Sequence, residues 1–119
     1  MGEVGWREDW ATKEYDRPLD AEEDNRLRMR IRLEPGRGVV RFSVQYEARF
    51  GDGERFRAVV RWDSAHGRAH RDTLDPAGNV ARKDWIDGVP YAQVVTDAIA
   101  EVDRDWQVYR AAFERMMQR

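Results

Sequence analysis

From Arg26 onward the chain alternates between apolar and charged residues. Arg26, Arg28, Arg30 and Arg32 interleave with Leu27, Met29, Ile31 and Leu33. Successive side chains of an extended strand point to opposite faces, so this run predicts a strand over about 26–33 with one greasy and one cationic side. Glu34-Pro35-Gly36-Arg37-Gly38 reads as a turn. The next strand, about 39–50, sets Val40, Phe42, Val44, Tyr46, Ala48 and Phe50 against Arg41, Ser43, Gln45, Glu47 and Arg49. After Gly51-Asp52-Gly53, a third strand at about 54–63 puts Phe56, Ala58, Val60 and Trp62 inward and Arg55, Arg57, Val59, Arg61 and Asp63 outward.

Ser64 to Gly67 make a turn into a short strand at about 68–74, and Asp75 to Asn79 turn into a fifth strand at about 80–86. Parity is open in these two: Leu74 inward places His70 and Asp72 on the buried side, and a bulge reverses that. Pro90 suits the first turn of a helix at about 90–117. There Tyr91, Val95, Ala98, Val102, Trp106, Tyr109, Phe113 and Met116 recur at spacings of three and four. The expected architecture is α+β: a four- to five-stranded antiparallel β-meander packed on one long C-terminal α-helix, in a single domain over 26–119.

Residues 1–25 lack this order. Trp6 and Trp10 stand in acidic surroundings that Pro18 and Asp20-Ala21-Glu22-Glu23-Asp24 extend. Two large indole surfaces predict an irregular acidic arm docked on the body, and the acidic run favours a disordered tail instead.

Composition narrows the chemistry. There is no cysteine, which excludes disulfides, thiolate metal sites and a cysteine nucleophile. No apolar run approaches the roughly 18 residues of a membrane span, and the mixed, acidic N-terminus is unlike a signal peptide, so a cytoplasmic protein without membrane contact is expected. The net charge is −2, but it is unevenly placed. Residues 1–25 carry three basic and nine acidic side chains, whereas residues 26–74 carry twelve basic and six acidic. All twelve are arginines.

That bias makes Arg28, Arg30, Arg32, Arg41, Arg49, Arg55 and Arg57, with Arg26 and Arg61, a candidate phosphate-binding face, because guanidinium groups grip phosphates bidentately. A solvated arginine face, neutralised by Glu47, Asp63 or the acidic arm, is the alternative. No aromatic ladder interleaves the expected outward positions, so base stacking finds no support there.

Both histidines lie in the twelve residues 61–72, with Arg61, Asp63, His66, His70 and Asp72 around one turn. Imidazoles titrate near neutrality and suit acid–base work; an arginine beside them can stabilise a phosphorane, and a carboxylate can fix a tautomer. Metal-free RNA cleavage would need that set, His66 and His70 trading roles as base and acid. A turn histidine before Gly67 and a packed cross-strand histidine are the structural alternative. A zinc or manganese site on His66, His70 and Asp72 is a third reading, opposed by Gly67, which disfavours the helix that would align the two rings. No metal or cofactor is expected.

The stretch Val59-Val60-Arg61-Trp62-Asp63-Ser64-Ala65-His66-Gly67-Arg68-Ala69-His70-Arg71-Asp72 resembles the Arg-aromatic-Asp-x-x-His-Gly-x-x-His signature of TumE-like toxins and related small bacterial and archaeal proteins, matching at Arg61, Trp62, Asp63, His66, Gly67 and His70. In those proteins the segment ends a β-meander and a helix follows. The chain departs from them in its acidic arm and in Arg71-Asp72. The resemblance implies a toxin-antitoxin component with an antitoxin partner and an RNA-directed activity. The competing expectation is a non-catalytic interaction or dimerisation module.

Overall fold

A computed structural model describes residues 11–118. Six strands follow one another in space as in sequence: β1 (Ala11–Pro18), β2 (Asn25–Glu34), β3 (Gly38–Ala48), β4 (Arg57–Asp63), β5 (His70–Leu74) and β6 (Val80–Trp85). Every neighbouring pair is antiparallel. One helix, α1 (Tyr91–Met117), closes the chain. The α+β class and the C-terminal helix stand as expected, but the sheet has six strands and not four or five.

The additional strand is β1, inside the segment read as an irregular arm. Its alternation is hidden because both of its faces are polar. On one face Glu14 and Asp16 stand opposite Arg30 and Arg28. On the other, Arg17 crosses to the helix and places Nη2 2.8 Å from both carboxylate oxygens of Asp103. An edge strand can be held by backbone pairing and charge in this way with little apolar surface. Trp6 and Trp10 lie outside the described residues.

The core lies between one sheet face and α1. Leu27, Phe42, Val44, Tyr46, Ala48, Val60 and Trp62 meet Val94, Val95, Ala98, Val102 and Phe113, all buried. Pro90 sits just before the helix with extended backbone, and its carbonyl accepts from the Gln93 and Val94 amides. The 27 residues of α1 span about 40 Å at 1.5 Å each. Besides Asp103, two residues of its polar flank tie it to the sheet. Glu101 accepts from Arg71 at 2.7 Å, and Arg110 donates to Asn25 Oδ1 at 3.0 Å, where Tyr46 also donates at 2.6 Å. Burial pushes the Tyr46 hydroxyl pKa up against the pull of Arg110.

Three bulges break strict alternation. The one in β4 matters most: Tyr46 pairs with Val60 but Glu47 pairs with Ala58, so Val59 is the inserted residue and is itself buried. Residues before it change face. Phe56, expected in the core, lies instead against the guanidinium groups of Arg26 and Arg49, 3.8 and 4.8 Å from its ring centre. Arg57 pairs with core Ala48 and so leaves the arginine face. A second bulge, between Thr73 and Leu74, inserts Ala81 into β6 and leaves β5 alternating, so Leu74, His70 and Asp72 are buried together, away from the helix. The third falls between Arg32 and Leu33 of β2, where Val40 of β3 is skipped. The strand β6 is an outer edge, and Arg82, Lys83 and Asp84 stand consecutively in its middle.

Candidate functional site

Register builds two rows of side chains across all six strands on the face opposite the helix. Partners in antiparallel strands point to the same side. One row reads Asp16, Arg28, Gln45, Arg61, Asp72, Lys83. Its neighbour reads Glu14, Arg30, Ser43, Asp63, His70, Trp85. A cleft of about 540 Å³ lies along the β1–β3 half, lined among others by Glu14, Asp16, Arg28, Arg30, Ser43 and Gln45. The β4–β6 half holds the titratable cluster.

That cluster is tightly arranged. His70 and Asp72 are each 4 % exposed. The His70 ring sets Nδ1 3.0 Å from the Arg68 carbonyl oxygen and Nε2 3.0 Å from Asp63 Oδ1 and 3.4 Å from Asp72 Oδ2. The other oxygens of both carboxylates face cations. Lys83 Nζ lies 2.8 Å from Asp72 Oδ1, and Arg61 Nε 3.4 Å from Asp63 Oδ2. Arg61 also reaches back to Gln45 Oε1 at 3.5 Å, so contacts run without a gap from β3 to β6.

The turn after β4 fixes Asp63. Its Oδ1 accepts the Ala65 amide at 2.9 Å, and the next residue, buried Ser64, accepts the Phe42 amide at 3.0 Å and gives its own amide to the Phe42 carbonyl. His66 and Gly67 follow with φ of 63° and 76°. Gly67 takes this left-handed geometry freely, whereas a histidine there carries some strain. Trp85 covers the cluster edge-on, its ring centre 5.3 Å from that of His70. Arg68 lies 4.1 Å over the indole and is pinned by paired hydrogen bonds of 2.9 and 2.8 Å to Asp87. Those bonds hold the Asp87 carboxyl below its ordinary range.

Of the residues singled out from sequence, Arg61, Asp63, His70 and Asp72 come together. His66 stands apart on the exposed turn and makes no hydrogen bond or ion pair among the described residues. Arg28, Arg30, Arg32 and Arg41 share the polar face, with Arg32 buried. Arg49, Arg55 and Arg57 do not join them: Arg49 turns to Asp24 at 3.2 Å, Arg55 lies in the loop before β4, and Arg57 is across the bulge. Glu47, 5 % exposed, draws Arg26 to 2.6 Å and Arg28 to 3.5 Å, and Gln45 donates to it. Much of the arginine charge is thus answered on the same face. Lys83 and Trp85 escaped the sequence reading because β6 has no apolar alternation to set its phase; Lys83, one of only two lysines, was the available signal.

Residues 10–119 match the family described as Domain of unknown function (DUF7718), and the chain belongs to that family. No curated protein and no solved structure matches it. No helix among the described residues is long and apolar enough to cross a membrane.

Proposed function

We propose that this member of the family binds RNA along the two rows of its polar sheet face and acts, like the toxins it resembles in sequence, on the bound strand at the Asp63–His70–Asp72 end. The observation that supports the reading is the continuity of the rows. Arg28 and Arg30, beside an open cleft, stand three strand spacings from the strand of His70, a span of about 14 Å at 4.7–4.9 Å per strand. A phosphate chain laid across the strands meets guanidinium groups first and the histidine cluster next. The interleaved acids limit affinity, so binding belongs to the weak, salt-sensitive class, with Kd of about 10⁻⁴ to 10⁻⁶ M near physiological salt. His66 and His70 are the acid–base candidates for cleavage, and an antitoxin would be the protein partner.

Fluorescence anisotropy with a single-stranded RNA provides the test. The double variant Arg28→Ala, Arg30→Ala should bind about tenfold more weakly and lose about 1.4 from the log–log salt slope, at about 0.7 per phosphate contact on a single strand. His66→Ala and His70→Ala should abolish cleavage of the same RNA and growth inhibition. Wild-type protein that shows no salt-dependent binding removes the RNA reading; binding without cleavage removes only the enzymatic half. The alternative, a non-catalytic interaction or dimerisation module, would use the arginine face with Arg30 but without Arg57, which lies on the opposite face of the sheet.

A further inference from the structure

We propose that Asp63, His70 and Asp72 form a binding site for a divalent first-row transition ion of the Mn²⁺ or Zn²⁺ kind. The inference rests on the geometry of the cluster and stands whether or not the face binds RNA.

The ring of His70 faces an acceptor at each nitrogen. A backbone carbonyl can only accept, so the contact at the Arg68 oxygen places a proton on Nδ1. Nε2 then points at two carboxylate oxygens, which also only accept. Two occupants satisfy this arrangement: a second ring proton, or a cation bound to the Nε2 lone pair. An imidazole whose Nδ1–H is held by a carbonyl, with Nε2 presented to the ligand, is the usual arrangement of a metal-bound histidine.

Distances of 3.0 and 3.4 Å from Nε2 suit a shared ion as well as an N–H···O hydrogen bond. Donor atoms about 2.1 Å from a common ion stand roughly 3–3.5 Å apart in tetrahedral or octahedral geometry. The two spacings at Nε2 are 3.0 and 3.4 Å, and all three ligand atoms fall within 4.8 Å of one another, so the two carboxylates would draw together on binding an ion. The second sphere is in place too. Lys83 holds the outer oxygen of Asp72 and Arg61 faces the outer oxygen of Asp63, so each carboxylate turns its other oxygen inward. The Ala65 amide shares Asp63 Oδ1 and fixes its direction. One imidazole with two carboxylates suits manganese, zinc, iron or cobalt in preference to calcium. Three protein ligands leave room for water or a phosphate oxygen, the pattern of a catalytic ion and not of a structural one. In this arrangement His70 is a ligand, and the acid–base role assigned to it above passes to another group.

From sequence, a metal is weighed at His66, His70 and Asp72, and none is expected. The sheet substitutes Asp63 for His66, because Asp63 pairs directly across the hairpin with His70 while His66 is carried out on the turn.

Cobalt provides the probe. Metal-free full-length protein is titrated with Co²⁺ alone, followed by visible d–d absorption and by calorimetry, with far-UV circular dichroism as the fold control. The expected result is saturation at one ion per chain, with quenching of tryptophan fluorescence through nearby Trp85. His70→Ala and Asp63→Asn should each weaken binding by more than about 100-fold, since even an outer-sphere partner is worth about 10- to 100-fold. If His70→Ala unfolds, the less deeply buried and nearly isosteric Asp63→Asn decides the matter. Wild-type protein that shows no saturable Co²⁺ binding, or folded variants that bind as tightly as wild type, overturn the proposal.

Discussion

Phe42→Ala should cost about 3–5 kcal/mol of unfolding free energy and lower Tm by on the order of 15 °C. Phe42 is 1 % exposed at the middle of β3, and its ring meets Tyr91 of the helix edge-on at 5.2 Å and 77°. Truncation removes the transfer term of a whole ring and leaves a cavity between sheet and helix that β-branched neighbours such as Ile31 and Val44 cannot fill. The same residue also anchors the site: its amide and carbonyl bond Ser64, the residue after Asp63. The variant should therefore loosen the turn carrying Asp63 as well. Urea unfolding followed by circular dichroism measures the loss, and a cost below about 1 kcal/mol would show that Phe42 is not close-packed.

The second large effect belongs to Arg71→Met, about 2 kcal/mol. Arg71 sits on the helix side of β5 and is the strap between the sheet's far end and α1. It donates to Asp84 at 3.0 Å, Glu101 at 2.7 Å and the Tyr109 hydroxyl at 3.2 Å, while Tyr109 itself donates to Glu101. A surface ion pair is worth about 0–1 kcal/mol and a broken buried one about 3–5. This network is about a quarter exposed, which places it between.

Acid makes the strap visible. The hydrogen bond from Arg71, working against slight desolvation and with help from Arg82, holds the Asp84 carboxyl below its ordinary range. Its contribution to stability is therefore complete above the unfolded-state value near 4 and is lost as pH falls through the lower folded value. Arg71→Met removes most of that contribution, so the variant should lose less Tm than wild type between about pH 6 and pH 2. Parallel Tm curves would show that Asp84 draws nothing from Arg71.

Strong period-2 and period-3.6 patterns made β2, β3 and the helix legible: Leu27, Phe42, Val44, Tyr46 and the stripe from Tyr91 to Met116 all pack as the spacing requires. Failures came where backbone pairing decides without a pattern to advertise it. The strand β1 is polar on both faces because ion pairs, not apolar contacts, attach it. Phe56 and Arg57 exchanged faces because one inserted residue, Val59, resets parity, and nothing in Arg55-Phe56-Arg57-Ala58 announces a bulge. At the site, Arg61, Asp63, His70 and Asp72 were found because they lie close in sequence around one hairpin. Lys83 and Trp85 arrive from β6 across the sheet, and only the register of β5 against β6 brings them in.

The charged middle of β6 has a consequence for how the protein behaves when concentrated. An outermost strand offers a row of free amides and carbonyls on which another chain can build, the first step toward open-ended stacking. Here the arriving chain meets Arg82, Lys83 and Asp84 in succession, and the two cations disfavour the antiparallel approach of a second β6. Lys83→Met, conservative in length, should therefore appear first as turbidity in a concentration series monitored by light scattering, while dilute samples remain folded. A clear solution at every concentration would show that the rest of the edge is guard enough. The lysine that steadies Asp72 in the site also keeps the molecules apart.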